Sequence, residues 1–151
     1  MKLKEEIKQT KPFPTVQEEA ILALSRTADQ LAAPMNEVLR AANLSASQYN
    51  ILRILRGSAR EGLACGEISE RMVRRDPDLT RLLDRLEARG LVTRARGTTD
   101  RRVILASITQ QGLDLLASLD EPVRTSIRKA LGHVPEERLR TLVEILEEIR
   151  G

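Results

Sequence analysis

The stretch DLTRLLDRLEARGLVTRARGTTDRRVILASI, residues 78–108, contains two different hydrophobic periods. In its first half, leucines recur at the i, i+3, i+4, i+7 spacing of one helix face, at Leu79, Leu82, Leu83 and Leu86. Gly90 follows as a helix stop. In its second half, Leu91–Arg96 and Val103–Ile108 read as two strands joined by residues 97–102. The stretch therefore predicts a helix followed directly by a β-hairpin.

Two shorter helices are expected before this stretch. Ser45–Gln48 (SASQ) has the form of a capping box and opens a helix that stops at Gly57. After a loop, a second short helix is expected over about residues 65–73, where Ile68 and Met72 are apolar. The dipeptide Asp76-Pro77 then combines a preferred N-cap with a proline at the first helical position, which predicts the start of the leucine-bearing helix.

Long apolar seams mark both ends of the chain. A capping box at Thr15–Glu18 opens a helix whose seam residues are Ile21, Leu24, Ala28, Leu31, Met35 and Val38. Pro34 should kink this helix or split it near Ala33. Thr109 can cap a long helix in which Pro122 predicts a bend, and Pro135 opens a last helix whose apolar face is Leu139, Leu142, Val143, Leu146 and Ile149. Because a chain of 151 residues cannot easily bury such seams alone, they favour a dimer. The alternative is a monomer that folds these helices onto itself.

The order of these elements is that of a winged helix-turn-helix. We therefore expect a mainly α chain with a small β-hairpin wing, an α+β fold with long N- and C-terminal dimerisation helices. The expected organisation is a single chain, residues 1–151, with an N-terminal arm (1–14), dimerisation helices (15–42 and 109–150) and a winged-helix DNA-binding lobe (45–108).

The composition excludes several classes of function. Apolar residues make up 41% and charged residues 31%, which is typical of a globular chain, and no apolar run approaches the roughly 18 residues that cross a bilayer. The N-terminus has no apolar signal region, so we expect a cytoplasmic protein without a membrane partner. One cysteine (Cys65) and one histidine (His133) are too few for a disulfide or a zinc site in one chain. We expect neither a cofactor nor an enzymatic activity, because the chain also has no nucleophile motif and no Gly-rich phosphate loop.

The net charge of +3 conceals a concentrated basic segment. Residues 71–102 contain ten arginines and five acidic residues, a balance of +5, so the rest of the chain carries −2. Arginine suits phosphates and guanine edges, although a solvated face of ion pairs is the alternative. The only aromatic residues are Phe13 and Tyr49, too few for the stacking platforms that single strands require. The segment therefore predicts duplex DNA as the partner.

The sequence resembles the MarR family of bacterial transcription regulators. The family pattern TRLxxRLExxGLVxR is matched by Thr80–Arg94, its D-x-R wing by Asp100–Arg102, and its L-T-x-x-G segment by Ile108–Gly112, with isoleucine in place of leucine. The likeness extends from about Ile21 to Ile149. It implies a homodimer whose first and last two helices interlock, a pseudo-palindromic operator, and repression that a small molecule or an oxidant relieves.

The start of the predicted recognition helix supplies the first candidate DNA contacts. Arg74, Arg75 and Arg81 can pair with guanine or phosphate, Asp78 can accept from cytosine N4, and Pro77 can touch a thymine methyl group. For Asp76 and Asp78 the alternative is simple capping. Thr80 suits a phosphate contact or packing, whereas Arg85 and Arg89 are expected to contact DNA or to pair with Asp84 or Glu87. The chain departs here from the small polar residues that the family more often carries, so its operator cannot be taken from relatives.

The wing supplies the second set of candidates. Asp100 can hold one neighbouring guanidinium, which leaves the other to enter a minor groove. The resemblance to the family implies that Arg102 pairs with Asp100 and that Arg101 enters the minor groove. Arg94, Arg96 and Thr98 would lie along the DNA backbone. The alternative is a solvated, charged turn.

Tyr49 and Cys65 are the candidate regulatory residues. By analogy with the family, Tyr49 lies near the effector region, and the alternative is a core or interface tyrosine. Cys65 lies at a predicted helix start that can lower a thiol pKa, which makes it a candidate redox site; the family's best-known oxidant sensors carry their cysteine elsewhere. His133 is expected to be a surface residue. The competing function is a winged-helix module that binds a protein instead of DNA, and the arginine cluster favours DNA.

Overall fold

A computed structural model describes all residues, 1–151, as seven helices and three short strands. The helices are α1 (Leu3–Glu6), α2 (Val16–Ala41), α3 (Ala46–Arg56), α4 (Cys65–Arg71), α5 (Leu79–Ala88), α6 (Gln110–Leu131) and α7 (Glu136–Arg150). The strands are β1 (Leu63–Ala64), β2 (Val92–Arg96) and β3 (Ile104–Ile108). The mainly α fold with a hairpin wing is confirmed. The four-residue helix α1 lies within the predicted N-terminal arm, whereas the strand β1 was not predicted.

The chain divides into two compact units, Met1–Pro34 and Met35–Gly151. In the first unit, Glu6 of α1 contacts Arg26 at 3.7 Å and Gln30 at 3.5 Å, both on α2. The predicted split near Ala33 is wrong, since α2 continues through Pro34 to Ala41. Proline removes only one N–H from a helix that keeps its other hydrogen bonds, which is why the helix can continue.

The second unit has one hydrophobic core, formed by the end of α2, by α3 to α6 and by the sheet. Its most buried large side chains are Leu39, Ile51, Leu52, Ile68, Leu86, Val92 and Leu116. The capping box of α3 is present as predicted. The Gln48 N–H donates to Ser45 Oγ at 3.1 Å, and the Ser45 N–H donates to Gln48 Oε1 at 3.0 Å. This cap fixes the start of the helix on which the DNA-binding elements pack.

The sheet is antiparallel with strand order β1-β3-β2. In β2 and β3, Val92 pairs with Ile108 and Arg96 pairs with Ile104, as the predicted hairpin requires. The short β1 adds Leu63 opposite Ala106 on the other edge of β3. Two residues show no periodicity, so a strand of this length could not be predicted from the sequence.

Helix α5 starts at Leu79, two residues later than the predicted start at Pro77. The Asp76 carboxylate accepts from the Asp78 N–H at 2.9 Å, which makes a turn around Pro77 in front of the helix. At the other end, Gly90 adopts φ +70 and closes the helix as expected. The predicted helix is therefore correct in its body and too long at its start.

The L-T-x-x-G segment joins the hairpin to α6. The Thr109 side chain accepts from the Gly112 N–H at 3.1 Å and donates to the Gly90 carbonyl at 2.7 Å. A Cβ on Gly112 would lie 2.5 Å from the Leu91 carbonyl oxygen, so this close approach requires glycine. Helix α6 then continues through Pro122 without a break, and the predicted bend there stays a prediction.

Both units leave apolar side chains exposed on their long helices. On the N-terminal part of α2 they are Val16, Ile21, Leu22, Leu24 and Leu31, and on α6 and α7 they are Ile127, Leu142, Val143, Ile145 and Ile149. None of the helices combines the length and the apolar character needed to span a membrane.

Candidate nucleic-acid interface

The loop before α5 and its first turn carry arginines with no partner in the protein. Arg74, Arg75 and Arg81 are exposed, and none of their guanidinium groups donates to a protein acceptor. Thr80 is also exposed and makes no side-chain hydrogen bond. The first turn of α5 thus presents donors to the outside.

The two aspartates at the start of α5 have different roles. The Asp76 carboxylate is occupied by the Asp78 N–H. The Asp78 side chain makes no capping hydrogen bond and is exposed. Neither aspartate caps α5 through its side chain, so the predicted N-cap role of Asp76 is wrong: its carboxylate bonds in the turn before the helix. Asp78 keeps a free acceptor beside the exposed ring of Pro77.

Asn50 of α3 holds the loop between α4 and α5. Its side-chain oxygen accepts from the Val73 N–H at 2.9 Å, just after the end of α4. The Val73 side chain itself is 94% exposed. This contact could not be predicted, because a single asparagine on a helix carries no pattern that indicates a partner 23 residues away.

Arg94 joins β2 to α5. Its guanidinium donates to Asp84 and to Glu87, one turn apart on the helix, with 3.2 Å between Arg94 Nε and a Glu87 carboxylate oxygen. The hydrogen bond from Arg94 lowers the pKa of Glu87, and the two carboxylates raise the pKa of Arg94. The expectation that Arg85 or Arg89 pairs with these acids is wrong, because Arg94 occupies both.

The wing loop contains one fixed and one free arginine at its tip. Asp100 accepts from the Arg102 backbone N–H at 3.0 Å and from its guanidinium at 3.2 and 3.4 Å. These bonds, that to the backbone N–H first, lower the pKa of Asp100. The Arg96 guanidinium donates to the Arg101 carbonyl at 3.0 Å. The Arg101 guanidinium has no protein acceptor, and Thr98 is exposed nearby in the same loop.

The ten arginines of residues 71–102 thus fall into two groups. One group bonds within the protein: Arg71 with Glu67, Arg89 with backbone carbonyls, Arg94 with Asp84 and Glu87, Arg96 with the Arg101 carbonyl, and Arg102 with Asp100. The other group is exposed and has no acceptor: Arg74, Arg75, Arg81, Arg85 and Arg101. The unpaired group lies before α5, on α5 and at the wing tip.

Three further residues, Tyr49, Cys65 and His133, differ in burial and contacts. Tyr49 is half-buried, packs against the core, and accepts from the Arg53 guanidinium at 3.3 Å. Cys65 is exposed at the first position of α4, and His133 is exposed between α6 and α7. The effector role of Tyr49 and the redox role of Cys65 stay predictions.

The comparisons with known proteins agree on one family. The MarR family model matches residues 44–104. The crystal structure of a MarR transcription factor from Planctomyces limnophilus is 43% identical to this chain, covers 90% of it and 98% of its own length, and has a TM-score of 0.70. The chain belongs to the MarR family. It is accordingly a DNA-binding transcription regulator, not an enzyme, with the winged-helix fold that the sequence predicted.

Two more distant proteins resemble the chain over most of its length. The homoprotocatechuate degradative operon repressor of Escherichia coli is 26% identical over 127 residues, which is 84% of each protein. The structure of Sco3205, a MarR family regulator from Streptomyces coelicolor, was solved in complex with DNA. It shares the fold at 24% identity and a TM-score of 0.78, and the match covers 94% of this chain and 91% of that chain.

Proposed function

We propose that this MarR-family chain is a homodimeric repressor that binds a pseudo-palindromic duplex operator and is released by a small-molecule ligand or an oxidant. The observation that carries the DNA-binding part is the group of exposed arginines without a protein acceptor, at the start of α5 and at the wing tip. Arginines that pair internally lose their donors to the protein, whereas these keep a planar fork for phosphate or guanine.

In the proposed complex, the start of α5 enters the major groove. Arg75 and Arg81 donate to guanine or phosphate, Arg74 and Thr80 contact the backbone, and Pro77 meets a thymine methyl group. Asp78 accepts from cytosine N4. Its free carboxylate supports this role, because Asp76 already bonds the backbone in front of the helix.

The wing reaches the flanking minor groove through Arg101. The exposed guanidinium of this residue is the one at the tip that no carboxylate or carbonyl holds. The ion pair between Arg102 and Asp100 maintains the shape of the loop. Thr98 contacts the sugar-phosphate backbone of the DNA. Arg96 also supports the loop through the Arg101 carbonyl, and Arg94 connects α5 to β2, so both arginines act by positioning the DNA-contacting residues.

The homodimer rests on the exposed apolar faces of the terminal helices. Ile21 is 64% exposed on α2, and Ile149 is 63% exposed on α7. Burial of such side chains in a second copy removes apolar area from water, at about 25 cal/mol per Å². A two-fold dimer presents two recognition helices to two half-sites, which is the reason for a pseudo-palindromic operator. The proposed domain division, with helices 15–42 and 109–150 for dimerisation and 45–108 for DNA, follows from this.

Repression and release are the finer parts of the proposal. The E. coli relative carries the name of a repressor, which supports that sense of regulation here. Tyr49 is the residue we assign to the effector, since its half-buried ring lies on α3 while its hydroxyl contacts only Arg53. Titration of candidate small molecules against a protein–DNA complex, with Tyr49→Phe and Tyr49→Ala as variants, tests this assignment.

The alternative is a winged-helix module that binds a protein through the same surface. Selection of bound sequences from random duplex DNA, followed by mapping of the enriched motif, separates the two. We expect a two-fold symmetric motif for the wild-type protein and loss of enrichment when Arg75 and Arg81 are both changed to alanine. A selection that yields no motif, or one that this double variant recovers unchanged, contradicts the proposal.

A further inference from the structure

Arg89 connects the end of the recognition helix to the end of α2. It is the residue after the last one of α5. Nη1 donates to the Asn43 carbonyl at 2.6 Å, and Nη2 donates to the Ala42 carbonyl at 3.1 Å. These are the only side-chain hydrogen bonds between Arg89 and the rest of the protein.

The two carbonyls that receive Arg89 are well suited to a guanidinium. Helix α2 ends at Ala41, and Asn43 then adopts φ +56, which turns the chain toward α3. Both carbonyls lie just beyond the last residue of α2, near the negative end of its helix dipole, and neither accepts a hydrogen bond inside a helix. A planar fork can bond two consecutive carbonyls at once, whereas a lysine ammonium cannot match both with fixed geometry.

We infer that Arg89 is a positioning residue that fixes the recognition helix against the C-terminal end of α2 and thereby sets the spacing of the two recognition helices in the dimer. The inference rests on the proposed dimeric DNA complex, in which α2 belongs to the dimerisation helices. From the sequence, Arg89 is expected to contact DNA or to form an ion pair, whereas in the structure its guanidinium donates to two backbone carbonyls. Its bonds instead join the two elements whose relative position decides which half-site spacing is read.

The spacing dependence of DNA affinity distinguishes this role from a general structural one. The selected operator is compared with versions that have one base pair added or removed between the half-sites, a shift of about 3.4 Å each. We expect the wild-type affinity to fall about tenfold or more at each altered spacing and that of Arg89→Ala to fall less than about threefold, because its recognition helices are less rigidly held. Arg89→Lys should also lose the sharp optimum, although it keeps the charge.

Arg150→Ala is the matched control. Arg150 lies at the end of α7, outside the DNA-binding elements, and has no protein partner, so its removal should leave the shape of the spacing profile as in the wild-type protein. Melting curves establish that the variants are folded. If Arg89→Ala does not fold, the spacing profile of Arg89→Lys is compared with that of the wild-type protein instead. A sharp wild-type optimum in both Arg89 variants overturns the inference. If the wild-type protein binds none of the duplexes, the proposed function fails, and the inference fails with it.

Discussion

The carboxylate of Asp100 holds Arg102 at three points, through its backbone N–H at 3.0 Å and its guanidinium at 3.2 and 3.4 Å. Both residues lie at the tip of the wing, next to Arg101, whose guanidinium has no acceptor. Asp100 thus gives the two adjacent arginines different roles. One arginine maintains the loop, and the other is available to a partner.

Removal of the free arginine should weaken DNA binding through charge. We expect Arg101→Ala to lower operator affinity and to flatten the slope of log K against log salt by about two, because the homodimer loses one cationic contact in each chain. Fluorescence anisotropy over a range of salt concentrations measures both. Arg150→Ala removes an equal charge from the end of α7, where Arg150 has no protein partner, and should leave the slope unchanged. An Arg101→Ala protein with wild-type affinity and slope would show that the wing does not contact DNA.

Removal of the acid should also weaken DNA binding, although it removes a negative charge. Asp100→Ala leaves Arg102 unrestrained and the wing loosely defined, so we expect lower affinity. Asp100→Asn keeps an oxygen that accepts from the Arg102 N–H and should retain more of the binding. The comparison is made by anisotropy on the same duplex. An equal rise in affinity for both variants would favour simple electrostatics over a mechanical role of Asp100.

The same hydrogen bonds predict how Asp100 titrates. The Arg102 backbone N–H, and then its guanidinium, lower the pKa of this carboxyl below its ordinary value. A group with a depressed folded pKa stabilises the folded state at neutral pH and loses that contribution as the pH falls through the folded value. NMR should show Asp100 titrating at lower pH than in an unstructured peptide, and Arg102→Ala should restore only part of the difference. Identical titration of the protein and the peptide would rule out the ordered wing.

Local sequence signals predicted most of the fold but fewer of the contacts. The capping box at Ser45, the stop at Gly90 and the hairpin all depend on neighbouring residues, so they could be predicted. The partners of Arg89 and Arg94 could not, because they depend on how α2, α5 and β2 meet in three dimensions. The exposure of the arginines at the start of α5 and at the wing tip was easier to predict, since it requires only a place on the surface.

A second ion pair should link the DNA-binding elements to α6. The Arg56 guanidinium of α3 donates to both carboxylate oxygens of Asp120 at 3.1 Å, and both side chains are about 30% exposed. We expect a coupling energy of about 1 kcal/mol between Arg56→Ala and Asp120→Ala in a double-mutant cycle, measured by denaturant unfolding at fixed protein concentration. Strict additivity of the two single variants would mean that the pair contributes nothing to stability.

A charged substitution on the apolar face of α7 should disrupt the proposed dimer. Val143 is 52% exposed in the single chain, and Val143→Glu places a charge on the apolar face that we assign to the second copy. We expect this variant to sediment as a monomer and to lose cooperative operator binding. Thr141→Glu introduces the same charge at an exposed polar position of α7 and should remain dimeric. If the wild-type chain is already a monomer at micromolar concentration, the interface is wrongly assigned.

The salt dependence of affinity for the duplex selected from random DNA tests the central claim most directly. A protein that binds through exposed arginines displaces counterions, so log K should fall linearly with log salt, with a slope of about −0.9 for each phosphate neutralised. For a dimer with five unpaired arginines per chain, we predict a slope between about −4 and −9. A slope near zero, or the absence of any duplex that binds, would contradict a regulator that reads DNA through α5 and the wing.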